Sequence, residues 1–557
     1  NTSVQAAGFL QYCEQYYNIS IEKAYFPKEF RIPGTNFKVD GFCKATNTVF
    51  MFQGCYFHSC NKCFKNDDII VGQQTAIDVY IKSQERVKKI VSLGYKVKII
   101  QGCEWEKFVK KNKILTLNYL PKALTTRSAL FGGRTECIRH YFTSLNTAKK
   151  GRYVDFCSLY PSVMKRKTFG VGAAKTIYLD QIPKPYDLSQ YLGIASIEIK
   201  PPADLEIPVL PFKVKGKLLF PLCAHCAIHK TKICTHFDKR SHLFGCWCTP
   251  EIVLAVEKGY EVINVFQIIY YTETSDDLFK DYINHFYIEK LKNSGWPDVC
   301  STDELKQKYI DFLLSSEGIE IKFEDIVENP SLRYINKCFL NILWGKFSQR
   351  NNLPKIEIVT TFEELQKLMT ERQYNILDAF NINPECTLVK YDFEQYSVPT
   401  ISCQNPILAS MVACYGRIEL YKAMETVGCR NLFYVDTDCL MFWENGDEIS
   451  SQLKLGDSLG LLSNELTPEG NYITELVVLA PKSYAYNLKN PDKNGHSTRV
   501  VVKGITRNIN NPNEQCNFDN FLKLLENEKS EIITSNDQFI KNCYEGTIYT
   551  KKMSKRI

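Results

Sequence analysis

Between Lys38 and Gln53 apolar and polar residues alternate as in a strand pair, and Lys44–Asn47 breaks the alternation with turn-forming residues. The pattern predicts a hairpin. From Gln73 to Leu93 the apolar positions recur at helical spacing on a polar background, and Tyr95–Gln101 returns to a strand-like run. Residues 1–118 therefore read as one compact unit, followed by a short linker near Leu120–Thr126. From Leu130 onward strand-like and helix-like stretches alternate without internal duplication, and the Asn- and Lys-rich stretch Asn487–Gly495 reads as a surface loop. A chain of 557 residues is long enough for roughly two to four domains.

Composition changes this picture little. The hydrophobic fraction of 44% and charged fraction of 24% are those of a soluble globular protein. A net charge of +7 suits a nucleic-acid binder without excluding other enzymes. No apolar run reaches the roughly 18 residues that span a bilayer, so no membrane association is expected. The opening Asn1-Thr-Ser-Val-Gln has neither Met nor an apolar signal core and reads as a piece of a longer frame. The 22 cysteines, with no secretory leader, suggest metal binding in a reducing, intracellular compartment rather than disulfides.

Candidate chemistry concentrates in three segments. In 151–162 a strand-like run ends at Asp155 and Pro161 suits the first turn of a helix. An Asp there could cap the helix, or could face open space beside backbone N–H groups able to meet phosphate. In 431–443 apolar runs flank Asp436-Thr437-Asp438, which predicts strand, tight turn, strand. Two carboxylates in one turn repel unless a cation lies between them, which favours a metal site. Between these, 329–346 places Arg333, Lys337, Asn341 and Gly345 on one helical face, with Ile335, Phe339, Leu340 and Leu343 as the core side. Glycine costs about 1 kcal/mol relative to alanine inside a helix, so Gly345 suggests a close approach by a base or sugar.

These segments resemble motifs A, B and C of family B DNA polymerases, DxxSLYPS, KxxxNSxYG and YxDTDS. The chain has Asp155, Ser158, Leu159, Tyr160, Pro161 and Ser162 in the first, Lys337, Asn341 and Gly345 in the second, and Tyr434, Asp436, Thr437 and Asp438 in the third. It departs at Ile342, Trp344 and Cys439, none of them a metal ligand in the family pattern. Leu130-Phe-Gly132-Gly133-Arg134, Tyr287-Ile-Glu-Lys290, Pro481-Lys482-Ser-Tyr484 and Val502-Lys-Gly-Ile505 are similar to further motifs of the protein-primed branch, closest in look to Polinton/Maverick and adintovirus polymerases.

The resemblance implies an α+β fold: a right-hand polymerase with palm, fingers and partial thumb, preceded by a small α/β restriction-endonuclease-like domain. The implied domains are 1–120 for the latter and 121–557 for the polymerase, with palm 130–170 and 400–510, an insertion 171–250, fingers 275–350, a second insertion 351–400 and thumb 511–557. It also implies template-directed addition of deoxynucleotides to a primer 3′-hydroxyl. Asp155 and Asp438, with Asp436 assisting, would hold two Mg²⁺ about 3.5–4 Å apart. Lys290, Arg333, Lys337, Asn341, Tyr160, Ser158 and Leu159 would bind the nucleotide, with Tyr160 beneath the deoxyribose. Gly132, Gly133, Arg134, Gly345, Lys482 and Tyr484 would contact DNA. The implied partners are template-primer DNA, deoxynucleotide triphosphates and a terminal priming protein, with the chain a monomer. The expected setting is replication of a viral or transposon genome, in the nucleus or at a viral replication site.

Two cysteine clusters remain. Cys55, Cys60 and Cys63 with Cys103 sit in a unit that resembles a very-short-patch-repair endonuclease with a structural zinc, and His58 is a substitute ligand or catalytic remnant. The family pattern places Glu, a partner for Asp40, where this chain has Met51, so nuclease activity is expected to be lost. Cys223, Cys226, Cys234 and His236 have CxxC…CxH zinc spacing, with Cys246 and Cys248 beyond; unligated cysteines are the alternative. The DxE start of an exonuclease is not found in 1–130, which places proofreading upstream of this sequence or nowhere. Rival readings are a metal-dependent nuclease, a non-catalytic zinc-stabilised nucleic-acid-binding protein, and an RNA-synthesising enzyme, against which Tyr160 argues.

Overall fold

The computed structural model describes all residues except 1–3, 18, 24–29, 69–73, 113–123, 146, 179–180, 232, 298, 351, 395–403, 447, 504–516, 528–531, 543–546 and 557. The expected linker up to residue 123 and the Gly504-Ile505 pair lie outside the described residues.

The hairpin foreseen at 38–53 forms, with Gly41–Cys43 antiparallel to Thr48–Gln53. The helix Ala76–Ser92 then carries the chain across so that Lys96–Gln101 joins Thr48–Gln53 in parallel. A parallel neighbour requires such a crossover. All six residues of Thr48–Gln53 are buried because apolar clusters cover both faces. Phe50 and Phe52 pack with Phe9, Leu10 and Trp105 on one side, and Val49 and Met51 with Ile32, Val39 and Ile90 on the other.

The centre of the chain is a nine-stranded sheet whose main path runs Thr498–Val501, Ser483–Leu488, Ile473–Ala480, Lys149–Phe156, Cys439–Asn445, Leu432–Asp436, Thr135–Cys137. Its middle strands come from residues almost three hundred positions apart, with Asp155 in register with Cys439. Successive side chains on a strand face opposite sides. Val154 and Phe156 thus enter the main core under the helices Leu159–Arg166 and Pro406–Val427, while Tyr153 joins Tyr434, Cys439 and Met441 on the other face.

A four-stranded sheet holds Lys175–Tyr178, Glu261–Tyr271, Leu192–Lys200 and Leu243–Cys248, and the helices Lys280–Lys292, Asp303–Glu317 and Pro330–Phe347 follow it in the chain. Lys355–Val359, Cys386–Phe393 and Tyr374–Asn383 make a separate three-stranded sheet with the helix Phe362–Thr370. Near the C-terminus Phe518 and Phe521 pack against Val477, Ala485 and Val500 of the large sheet. The architecture is α+β. Among the described residues no helix is long and apolar enough to cross a membrane.

One expectation about local packing is corrected. The helix Pro330–Phe347 does not bury Ile335 and Phe339, which are 45% and 41% exposed; its fully buried positions are Asn336 and Leu340. The helix meets the main core through Leu340, Leu343, Trp344 and Phe347 instead. It leans on the Lys280–Lys292 helix through Phe339 stacked on Phe286, with ring centres 4.8 Å apart, and on the sheet-bearing body through Trp344.

Candidate active site

The strands Leu432–Asp436 and Cys439–Asn445 pair Asp436 with Cys439, leaving Thr437-Asp438 as a two-residue turn. Such turns need positive φ, and Thr437 adopts φ 61° although it is β-branched. Three contacts hold it there. The Asp438 N–H donates to Asp436 O (2.6 Å), the Thr437 N–H donates to Arg134 O (2.7 Å), and the Thr437 side chain fills the space over Gly133. The adjacent strand end is locked by the Phe156 N–H, which donates to Asp438 O at 2.8 Å. Asp155 and Asp438 are thereby brought to one edge of the sheet. Ser158, at φ 54°, turns the chain from Asp155 into the helix Leu159–Arg166. Lys482 is a third non-glycine residue at positive φ (61°), and such positions cluster at sites that the surrounding fold over-determines.

The three carboxylates are in different states. Asp436 is engaged by four groups: Thr135 Oγ1 (3.0 Å), Tyr434 OH (3.0 Å), Thr437 Oγ1 (3.2 Å) and Lys482 Nζ (3.1 Å). Tyr434 OH also accepts the Lys482 N–H at 2.8 Å, so one hydroxyl ties the carboxylate to the 481–484 segment. No described side chain hydrogen-bonds to Asp155 or Asp438. Burial, then the Asp438 charge, then Glu465 push the Asp155 carboxyl up to about 7. Burial and then Asp436 push Asp438 up to about 6. Two half-buried carboxylates that repel each other are stabilised by a cation, and their hard oxygens suit Mg²⁺.

Cations face them from the helices. Lys290 is half-buried, and burial together with Arg333 and Lys337 pulls its ammonium below the ordinary lysine range. Lys337 lies close enough to lower the pKa values of Asp155 and Asp438. Arg333 Nε donates to Ser294 Oγ at 3.2 Å. Among the described residues none of Lys290, Arg333 and Lys337 has a carboxylate partner. Asn341 is exposed on the same helix, and a Cβ on Gly345 would meet nothing within 4 Å, so packing inside the chain does not explain that glycine.

Tyr160 is boxed in. Its ring meets Trp344 edge-on, with centres 4.9 Å apart and planes at 81°, and a Cβ on Gly416 would come within 2.7 Å of it. Leu159 is buried in the core, so at most its backbone can serve a ligand. Tyr484 is half-buried and stacks in parallel with Tyr486.

Arg134 differs from the expectation of a DNA contact. Its guanidinium is buried, pairs with Glu136 (2.6 Å), donates to Pro208 O (2.6 Å) and lies over the Phe220 ring. A basic residue beside a glycine pair looks like a phosphate ligand in sequence; in three dimensions its carbonyl props the Thr437 turn and its charge is neutralised inside. Gly133 is a packing requirement, whereas Gly132 has nothing within 4 Å.

Sequence reasoning missed the support of this loop. Arg417 makes a two-pronged, fully buried pair with Glu251 (2.7 and 2.8 Å) and also donates to the carbonyls of Phe131 and Gly132. Thr135, Gly416 and Glu465 were missed as well. None has a local signal, because each acts on a residue distant in sequence.

Both cysteine clusters assemble. The Sγ atoms of Cys55, Cys60, Cys63 and Cys103 lie within 4.8 Å of one another, as do the ligand atoms of Cys223, Cys226, Cys234 and His236. In the second, His236 Nδ1 faces the three sulfurs at 3.5–3.8 Å. Four thiols, or three and an imidazole, are the soft tetrahedral donor sets that zinc takes. His58 lies outside the first cluster, 3.3 Å from Ser83 Oγ. Met51 is buried in the core, while the Asp40 carboxylate accepts the Phe52 N–H at 2.8 Å.

No curated protein matches the chain. Solved structures of Phi29 DNA polymerase align over most of it. The complex with primer-template DNA shows 14% identity over 88% of this chain and 74% of that one, TM-score 0.48. The ternary complex with primer-template DNA and incoming nucleotide substrates shows 13% over 87% and 74%, also at 0.48. Residues 108–298, the segment with Gly133, Asp155, Tyr160 and Lys290, match the family DNA polymerase type B, organellar and viral.

Proposed function

We propose that the chain is a DNA-directed DNA polymerase that adds deoxynucleotides to a primer 3′-hydroxyl by phosphoryl transfer. The observation that carries this is the division among the carboxylates: Asp436 is fully engaged while Asp155 and Asp438 carry no side-chain hydrogen bond and lie in the field of Lys337, which has Lys290 as a cationic neighbour. That arrangement suits a metal-bound triphosphate lodged between them. Asp155 and Asp438 would hold two Mg²⁺, which when bound activate the 3′-hydroxyl and neutralise the phosphates. Lys290, Arg333 and Lys337 bind and orient the triphosphate, with the backbone N–H groups after Ser158 at a helix start. Tyr160 supports the sugar and excludes a 2′-hydroxyl, Asn341 positions the nucleotide, and Lys482 and Tyr484 steady the primer end. Gly132 and Gly345 leave room for DNA beside the backbone.

The family match and the motif resemblance support the further reading of protein-primed replication of a viral or transposon genome. The two assembled cysteine clusters support two structural zinc ions, and the buried Met51 in place of an acidic residue supports a nuclease-inactive domain over residues 1–120. Primer extension tests the central claim. Asp155→Ala and Asp438→Ala should each abolish nucleotide addition while template-primer binding persists, and undiminished extension by either variant refutes the assignment.

A further inference from the structure

Lys165 is a buried ammonium to which nucleotide addition as described gives no task. It lies in the last turn of the Leu159–Arg166 helix, is 8% exposed, and meets Glu317, whose side chain is 4% exposed. Its Nζ donates to Glu317 Oε2 at 3.0 Å and to the Glu317 carbonyl at 3.2 Å, while Arg166 Nη2 donates to Oε1 at 2.8 Å. Glu317 ends the helix Asp303–Glu317, which Gly318 terminates at φ 65°. A cation suits that place twice over, because it pairs with the carboxylate and also satisfies a carbonyl that the helix end leaves without an N–H.

The clasp has a third member. Tyr287 is 2% exposed; the Lys165 Nζ lies 6.0 Å from its ring centre and the Lys290 Nζ 5.9 Å from the same centre. The Tyr287 hydroxyl accepts from the Leu459 backbone N–H. The next residues hold the turn after Asp155: the Gly460 N–H donates to Cys157 O and the Cys157 N–H donates to Leu461 O, both at 2.8 Å. One ring therefore joins the end of the helix that begins at Tyr160, the loop beside Asp155 and the helix that carries Lys290. Stability alone does not account for charges here, because a buried ion pair is often no more stabilising than apolar side chains of the same volume. What the pair adds is direction. Its hydrogen bonds fix where the ammonium sits against the ring, which an apolar contact would leave free to shift.

We propose that Glu317 and Lys165 are positioning residues for nucleotide binding: their ion pair fixes the Tyr287 ring, and the ring sets the reach of Lys290 toward the triphosphate. The proposal rests on the polymerase reading for the identity of the ligand.

Single-nucleotide incorporation by the full chain, with thermal unfolding of each variant alongside, tests it. Lys165→Met and Glu317→Gln should each raise the KM for deoxynucleotide about five-fold or more, as misplacement of a distant binding group does. The kcat should stay nearly unchanged, because the binding lost is common to ground and transition states. Combined, the two replacements should raise KM no further than the larger single effect, since both act through one contact. Lys167→Met, which opens the neighbouring pair with Glu419, should leave KM at the wild-type value. Glu317→Leu with Lys165→Met removes both buried charges and gives a folded chain to assay where a single replacement unfolds it. Its KM should stay raised at a recovered Tm. A pair that only braces the fold would instead lower Tm and the active fraction at an unchanged KM. Wild-type KM in folded Lys165→Met, or in the stable double variant, overturns the proposal and leaves the polymerase reading in place. A wild-type chain that extends no primer removes both.

Discussion

Gly133 lies directly beneath Thr437: a Cβ on the glycine would sit 2.6 Å from the threonine side chain, closer than any real contact allows. Because Thr437 joins Asp436 to Asp438, crowding at Gly133 is transmitted to both carboxylates. Gly133→Ala should therefore lower the rate of nucleotide addition by about ten-fold or more and destabilise the fold by about 1–3 kcal/mol, as overpacking does. Gly132→Ala, with nothing within 4 Å, should stay near wild type. Steady-state extension and thermal unfolding of the two variants make the comparison.

Tyr160 rests on Gly416, and the glycine leaves the space that the ring uses. Gly416→Ala should tilt the ring away from Trp344. The expected result is a higher KM for deoxynucleotides and weaker rejection of ribonucleotides, read from single-nucleotide incorporation with each substrate. Equal discrimination in wild type and variant would show that the ring does not police the sugar.

Tyr434 links Asp436 to Lys482 through one hydroxyl. Tyr434→Phe keeps the ring but removes the acceptor of the Lys482 N–H and a donor to Asp436, each hydrogen bond contributing about 0.5–1.5 kcal/mol. Extension should slow and the dissociation of primer-template should quicken, because Lys482 and Tyr484 sit on the same segment. A change confined to the KM for nucleotide would place Lys482 elsewhere.

The Arg417–Glu251 pair is buried on both sides, with side-chain exposures of 3% and 1%. Removing one partner strands a charge, which typically costs about 3–5 kcal/mol. Glu251→Ala should lower Tm sharply, and the double replacement Glu251→Leu with Arg417→Met should recover much of the stability. Recovery of Tm without recovery of activity is expected, since Arg417 also holds the carbonyls of Phe131 and Gly132 in the loop that leads to Gly133 and Arg134.

Zinc analysis of the purified chain should give two ions, falling to one in Cys60→Ser and in Cys226→Ser. Chelation should broaden the unfolding transition of residues 1–112 and of the 223–241 loop, measured by hydrogen exchange. One ion or none in the wild type would assign the corresponding cluster to unligated thiols.

The amino-acid sequence by itself determined the residue types of the site and the elements that carry them. Asp155 at a strand end, Asp436-Thr437-Asp438 in a tight turn, the Lys38–Gln53 hairpin and the cationic face of 330–347 were all legible, because strand alternation, helical period and turn chemistry are local properties. Spacing identified the Cys223, Cys226, Cys234 and His236 set, whereas family resemblance grouped Cys55, Cys60 and Cys63 with Cys103, forty residues beyond Cys63. Which face a helix buries was not legible. Ile335 and Phe339 look like core positions, but the helix is buried only at Asn336 and Leu340, and Phe339 meets Phe286 while remaining 41% exposed. The tertiary structure alone decided that Arg134 is a buried brace, that Asp436 is tied while Asp155 and Asp438 are not, and that Gly133 and Gly416 are space for Thr437 and Tyr160. The deciding contacts, Arg134 with Pro208, Asp436 with Thr135 and Lys482, Gly133 with Thr437 and Gly416 with Tyr160, join residues separated by tens to hundreds of positions, and no local pattern encodes the charge and volume that a distant strand brings to the same point.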